Sequence, residues 1–133
     1  MNLQSLLQPV IEISKAAGEA ILAVYSREDI GLQRKDDKSP LTDADLAAHK
    51  IITTGLKALT PDVPVLSEES ASMPWSVRHQ WSRYWLVDPL DGTKEFVSRN
   101  GEFTVNIALI EDGVPVLGFV YVPVLALMYY GGR

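Results

Sequence analysis

The spacing of apolar residues changes partway along this chain, and the order of that change constrains the fold more than any other feature. Early on they recur every three or four positions, as an amphipathic helix requires; later they come in short runs of strand length. Residues 2–26 read as one helix, with Leu3, Leu6, Val10, Ile13, Ala17, Ala20 and Val24 on a single face. The opposite face is not basic, which favours a core helix over one lying on a membrane or a partner. A second helix begins near Thr42, where Thr42 and Asp45 have the spacing of a capping box, and Ala48, Ile52, Leu56 and Leu59 form its buried stripe. Leu59-Thr60-Pro61-Asp62 ends it. Residues 27–40, charged and polar with Gly31 and Ser39-Pro40, read as a loop or a short two-stranded excursion.

The second half reads as strands. Residues 63–66 and 84–87 are short apolar runs, joined by a Met-Pro-Trp-rich connection with room for a short helix. Residues 103–110 form a longer strand, Asp112-Gly113 is a hairpin signal, residues 116–122 return, and residues 125–130 begin a further strand. Helices that precede the strands, instead of alternating with them, argue against a Rossmann-type winding and for an α+β, layered fold with a mainly antiparallel sheet. There are no repeats and no linker, so residues 1–133 read as one unit.

Composition narrows the chemistry. The chain is 47% apolar with mean hydropathy near zero, which suits a core-forming domain. No apolar run reaches bilayer-spanning length, and the N-terminus lacks the basic flank of a secretion signal. The absence of cysteine excludes disulfides and thiolate metal sites, leaving oxygen or histidine as ligands, and fits the cytoplasm. A net charge of −5 argues against a nucleic acid polymer as partner. A small phosphate ester remains compatible, provided cations reverse the local field.

Such cations have candidate ligands. Trp85-Leu86-Val87-Asp88-Pro89-Leu90-Asp91-Gly92-Thr93 reads as an apolar strand ending in two aspartates on a strand-to-helix turn, and Glu68-Glu69 follows another apolar run. Hard divalent cations need carboxylates gathered from separate segments. Pro89 stiffens the turn, the Leu90 carbonyl is a neutral oxygen donor, and Gly92-Thr93 can open a helix whose amides suit a phosphate. In isolation Asp91 and Asp45 read as helix caps, and Glu68 and Glu69 as solvated loop acids. The buried strand and the second acidic cluster together favour the metal reading. An EF-hand over residues 91–102 fails, because Phe96 stands where the turn glycine belongs. His49 and His79 have no partner at ligand spacing and read as surface residues. No Gly-x-Ser-x-Gly occurs.

Taken together, Lys38-Ser39-Pro40-Leu41-Thr42-Asp43-Ala44-Asp45, Leu66-Ser67-Glu68-Glu69 and the 85–96 run resemble the inositol monophosphatase superfamily of lithium-sensitive, magnesium-dependent phosphomonoesterases. The Gly92-Thr93-Lys94-Glu95-Phe96 continuation and Asn100-Gly101-Glu102-Phe103-Thr104-Val105-Asn106 are similar to its CysQ-type 3'(2'),5'-bisphosphate nucleotidase branch. The resemblance covers essentially the whole chain but only the N-terminal half of such enzymes. Their Trp-Asp-x-Ala-Ala-Gly-like motif, with a further metal-binding aspartate, has no counterpart, since no tryptophan follows Trp85.

The resemblance implies two or three Mg²⁺ ions in the complete site, held here by Glu68, Asp88, the Leu90 carbonyl and Asp91. It makes Asp45 and Thr93 the catalytic pair that orients the attacking water. Glu68, Leu90, Asp91, Gly92 and Thr93 would line the substrate. The implied reaction is hydrolysis of adenosine 3',5'-bisphosphate to AMP and phosphate, in sulfur metabolism, in the cytoplasm or peripheral at the inner membrane. Alternatives are an inositol or sugar monophosphatase, or a catalytically incompetent fragment that binds a partner half or self-associates through an uncovered sheet.

Overall fold

The computed structural model describes residues 3–26, 33–34, 40–67, 81–93 and 101–132. Helix α1 spans Gln4–Tyr25 and α2 spans Asp43–Leu59. Between them, β1 (Gln33–Arg34) and β2 (Pro40–Leu41) pair antiparallel, which is the two-stranded excursion. Five strands follow: β3 (Val65–Ser67), β4 (Arg83–Asp91), β5 (Thr104–Glu111), β6 (Val114–Val122) and β7 (Leu127–Gly132). They form a single sheet in sequence order, with β3 parallel to β4 and every other pair antiparallel. The α+β, mainly antiparallel architecture expected from the sequence is the one observed.

Both helices pack on one face of the sheet. The inward residues follow the period of two: Trp85 and Val87 on β4, Val105, Ile107 and Leu109 on β5, and Leu117, Phe119 and Tyr121 on β6, all buried with Val10, Ile21, Ile52 and Leu56. Gly18 lets α1 approach β6, since a Cβ there would collide with the Tyr121 ring. The α1 stripe differs in part from the expected one. Leu6, Val10, Ala17 and Val24 are buried, but so are Ile11, Ser14, Gly18 and Ile21, whereas Ile13 and Ala20 are only half-buried. The helix faces α2 as well as the sheet, and Ile13 turns toward Gly55 of α2.

Strand boundaries moved for identifiable reasons. β3 starts at Val65 because the Val63 amide donates to the Thr60 carbonyl, closing α2, and Pro64 has no N–H. The Pro64 carbonyl instead accepts from the Trp85 amide at 2.9 Å. The hairpin turn is as expected: Asp112 and Gly113 both adopt positive φ, 50° and 80°, the pattern of a two-residue turn that matches strand twist. The last strand begins at Leu127, after a short 3₁₀ turn over Pro123–Leu125. The connecting helix expected between residues 67 and 84 lies outside the described residues, as do Glu68, Glu69, His79 and the segment from Lys94 to Asn100.

The outward face of the sheet carries no described element. Leu86, Val120, Leu127 and Tyr129 are exposed there, beside Ala108 and Gly118. No helix among the described residues is long and apolar enough to cross a membrane.

Candidate metal centre

Asp88 and Asp91 lie within β4, not on a turn beyond it, which corrects the expected strand end at Val87. Cross-strand pairing with β5 continues past Val87, with Asp88 opposite Asn106 and Asp91 opposite Thr104. Three steps along β4 therefore match two along β5, and the register shift between Asp88 and Asp91 is a β-bulge. That extra residue decides the site. In a regular strand, residues an odd number apart point to opposite faces. Asn106 and Thr104 are an even number apart and share a face, so the bulge brings both aspartates to that same face. Pro89, unable to donate to a ladder, and Leu90 are the residues between.

The face is the outward one, continuous with Leu86 and Ala108, and a groove of about 620 Å³ runs over it past Ser67, Asp88 and Asn106. Asp91 is exposed and Asp88 half-buried. Asn106 Nδ2 donates to Asp91 Oδ2 at 3.0 Å, and the Thr104 hydroxyl donates to Asn106 Oδ1 at 3.1 Å. Neither Asn106 nor Thr104 was assigned a role from the sequence, although both fall inside the motif that carried the resemblance. Their polarity in an otherwise apolar strand was the available signal.

At the end of β4 the chain meets helix α2. Gly92 adopts φ 91°, a conformation open to glycine, and Thr93 then turns back. The Thr93 hydroxyl lies 3.0 Å from Asp45 Oδ1 and 3.2 Å from the Leu90 carbonyl, so its one proton has two acceptors within reach. Asp45 is fully buried. Its Oδ2 accepts from the Thr42 amide at 2.8 Å and the Thr42 hydroxyl at 2.7 Å, completing the capping box. The two readings of Asp45, cap and site residue, are thus compatible: one oxygen holds the helix start and the other reaches Thr93. The helix expected to open at Gly92-Thr93 lies beyond the described residues after Thr93.

His49 corrects a further expectation. It is half-buried, with Nδ1 2.8 Å from Ser67 Oγ, because α2 packs on β3 and position 49 faces the end of that strand.

Among the described residues no three acidic or histidine side chains converge closely enough to enclose a metal. The chain nonetheless fits a hard divalent cation in its donor chemistry. The available atoms are all oxygens, two carboxylates share one face through the bulge, and the Leu90 carbonyl stands between them in sequence. The residue immediately after β3, Glu68, is the third candidate carboxylate, and β3 lies beside β4 in the sheet.

Known proteins resemble this chain in sequence and in fold. Residues 2–133 match the model of the inositol monophosphatase family. The chain is 60% identical over 129 residues to the 3'(2'),5'-bisphosphate nucleotidase CysQ of Salmonella typhimurium, covering 96% of this chain and 52% of that protein. Against the protein of the same name from Escherichia coli K12 the identity is 58%, with coverage of 93% and 50%. Among solved structures, CysQ from Bacteroides thetaiotaomicron superposes with a TM-score of 0.83 at 47% identity, over 98% of this chain and 47% of that one. The extragenic suppressor protein suhB of Bartonella henselae gives 0.87 at 27% identity, over 97% and 49%. The chain spans about half the length of the relatives it matches. Matched along almost its whole length, this chain belongs to the inositol monophosphatase family.

Proposed function

We propose that this chain supplies the cation-binding and water-orienting part of a Mg²⁺-dependent phosphomonoesterase acting on adenosine 3',5'-bisphosphate, with AMP and phosphate as products and the cytoplasm as its compartment. The observation that carries the reading is the β4 bulge, which gives Asp88 and Asp91 a common face at the strand end where Thr93 meets Asp45. The relatives' name, 3'(2'),5'-bisphosphate nucleotidase, supports the nucleotide over an inositol or sugar phosphate.

Glu68, Asp88, the Leu90 carbonyl and Asp91 would hold magnesium, two or three ions in the complete site. An ion held there would supply Lewis acidity, making a water more acidic and offsetting charge on the departing ester oxygen. The rest falls to the chain itself. Asp45 Oδ1 accepts the Thr93 proton, which leaves the Thr93 oxygen free to accept from a water and so to orient its attacking lone pair toward phosphorus. Because Thr42 fixes the other oxygen of Asp45, the acceptor cannot rotate away. Gly92 and Thr93 stand next to Asp91, where a phosphate would be placed, and substrate contacts are assigned to Glu68, Leu90, Asp91, Gly92 and Thr93.

A chimaera tests this reading. Residues 1–133 joined to the remaining C-terminal portion of the Salmonella relative should release phosphate from adenosine 3',5'-bisphosphate only with Mg²⁺, and from inositol 1-phosphate far more slowly. The 133-residue chain alone should be slower than the chimaera by at least about a thousandfold, since lost transition-state contacts worth several kcal/mol cost a factor of ten per ~1.4 kcal/mol. A chimaera that prefers inositol 1-phosphate would transfer the proposal to the alternative substrate class. One that folds and hydrolyses neither would refute it.

The outward face favours a second reading, in which this chain associates with a copy of itself. Leu86, Val120, Leu127 and Tyr129 expose apolar surface on a sheet that ends in the edge strand β7. Sedimentation of the 133-residue chain should show concentration-dependent dimers, and Val120→Lys should shift the population toward monomer. A monomer at high concentration, indifferent to that change, would exclude it.

A further inference from the structure

We propose that Asn106 is a positioning residue for the Asp91 carboxylate, and that the Thr104 hydroxyl locks Asn106 in the orientation this requires. The inference rests on the reading of Asp88 and Asp91 as cation ligands. Asn106 stands directly opposite Asp88 across the strands and reaches diagonally to Asp91, so it lies between the two proposed ligands. Asp91 is exposed at the end of β4, and an exposed aspartate is otherwise free to rotate about two side-chain bonds.

The chemistry of the contacts fixes the amide. An ionised carboxylate accepts hydrogen bonds and cannot donate, so the group that Asn106 turns toward Asp91 must be its NH₂. The amide oxygen then needs a donor on its other side. The Thr104 hydroxyl provides one at 3.1 Å, and Asn106 Nδ2 donates to Asp91 Oδ2 at 3.0 Å. Were the amide reversed, its oxygen would face the Asp91 carboxylate oxygen, a repulsive contact, while the Thr104 hydroxyl could only accept from the NH₂ without relieving it. The relay therefore occupies Oδ2 of Asp91 and leaves Oδ1 with no hydrogen bond among the described residues, available to a cation. Hydrogen bonds that orient a metal ligand in this way typically change affinity about 10–100-fold when removed.

Calorimetric titration of Mg²⁺ into the 133-residue chain tests the proposal, with metal-free urea melts as the second readout. Asn106→Ala should weaken Mg²⁺ binding about tenfold or more. Thr104→Val keeps the shape of the side chain but removes the donor, and should weaken it in the same direction, whereas Thr104→Ser should restore wild-type affinity. A purely structural Asn106 would lower the metal-free urea midpoint and leave the Mg²⁺ Kd of the folded protein unchanged, and that result overturns the proposal. Asp88→Asn separates the two levels. Binding lost in Asp88→Asn but kept in Asn106→Ala refutes the positioning role and leaves the site assignment standing. Binding kept in Asp88→Asn refutes the site assignment, and the positioning role with it.

Discussion

Asp88→Asn is expected to erase the stabilisation that Mg²⁺ gives the folded chain. A ligand that binds only the native state stabilises it by mass action, about 2.7 kcal/mol at one hundred times its Kd. For a domain of this size that is a rise in melting temperature of roughly 10 °C. Asparagine keeps the shape of aspartate but removes the charge that a hard cation requires. Asp88 sits at the base of the bulge, half-buried and opposite Asn106. Asp43→Asn is the matched control. Asp43 is in the first turn of α2, and its loss should cost a few tenths of a kcal/mol through the helix dipole. That cost is the same with and without metal, so the metal-dependent rise should survive. Calorimetric melts of the three proteins with and without Mg²⁺ decide the matter. Equal gains in wild type and Asp88→Asn would remove Asp88 from the site.

The largest loss of stability should come from Trp85→Ala. Trp85, near the start of β4, is fully buried, and its indole Nε1 donates to Thr60 Oγ1 at 2.9 Å. Thr60 in turn donates to the Leu56 carbonyl at 3.0 Å, so this one side chain ties the sheet to the last turn of α2. Truncating a buried tryptophan costs about 3–5 kcal/mol through lost transfer energy and the cavity left behind. Native domains are stable by only about 5–15 kcal/mol, so a third or more of the total is at stake. Thr60→Val removes the hydroxyl, which strands the indole N–H and ends the side-chain bond to the Leu56 carbonyl, for about 1–3 kcal/mol. Urea denaturation should rank the proteins wild type, Thr60→Val, Trp85→Ala. A loss below about 1 kcal/mol for Trp85→Ala would contradict the packing described.

The two changes separate the roles of neighbouring residues on one strand. Trp85 points to the helices and Asp88 to the outward face, so the first should reduce stability with or without metal and the second should remove the gain that metal brings.

Much of this molecule was legible in the amino-acid order because short-range geometry dictates it. The spacing of four between Ala48, Ile52 and Leu56 puts all three on one side of a helix, and Thr42 with Asp45 can close its first turn without help from elsewhere. Asp112-Gly113 tolerates the positive φ that a tight hairpin demands, so the β5–β6 pairing was written locally. The acidic residues of the site were visible as residue types, and the three motifs in order were enough to suggest the family.

What the order could not determine was which of those side chains meet. By the period of a regular strand, Asp88 and Asp91 should face opposite ways, and only the bulge that arises when β4 pairs with β5 turns them together. Thr93 finds Asp45 across 48 positions of sequence because α2 packs against the sheet, and His49 gains Ser67 for the same reason. Asn106 became a partner of Asp91 through cross-strand register, which is set by the pairing of whole strands. Local periodicity specifies the elements. The contacts that make a site depend on how distant elements pack, and that is a property of the tertiary fold alone.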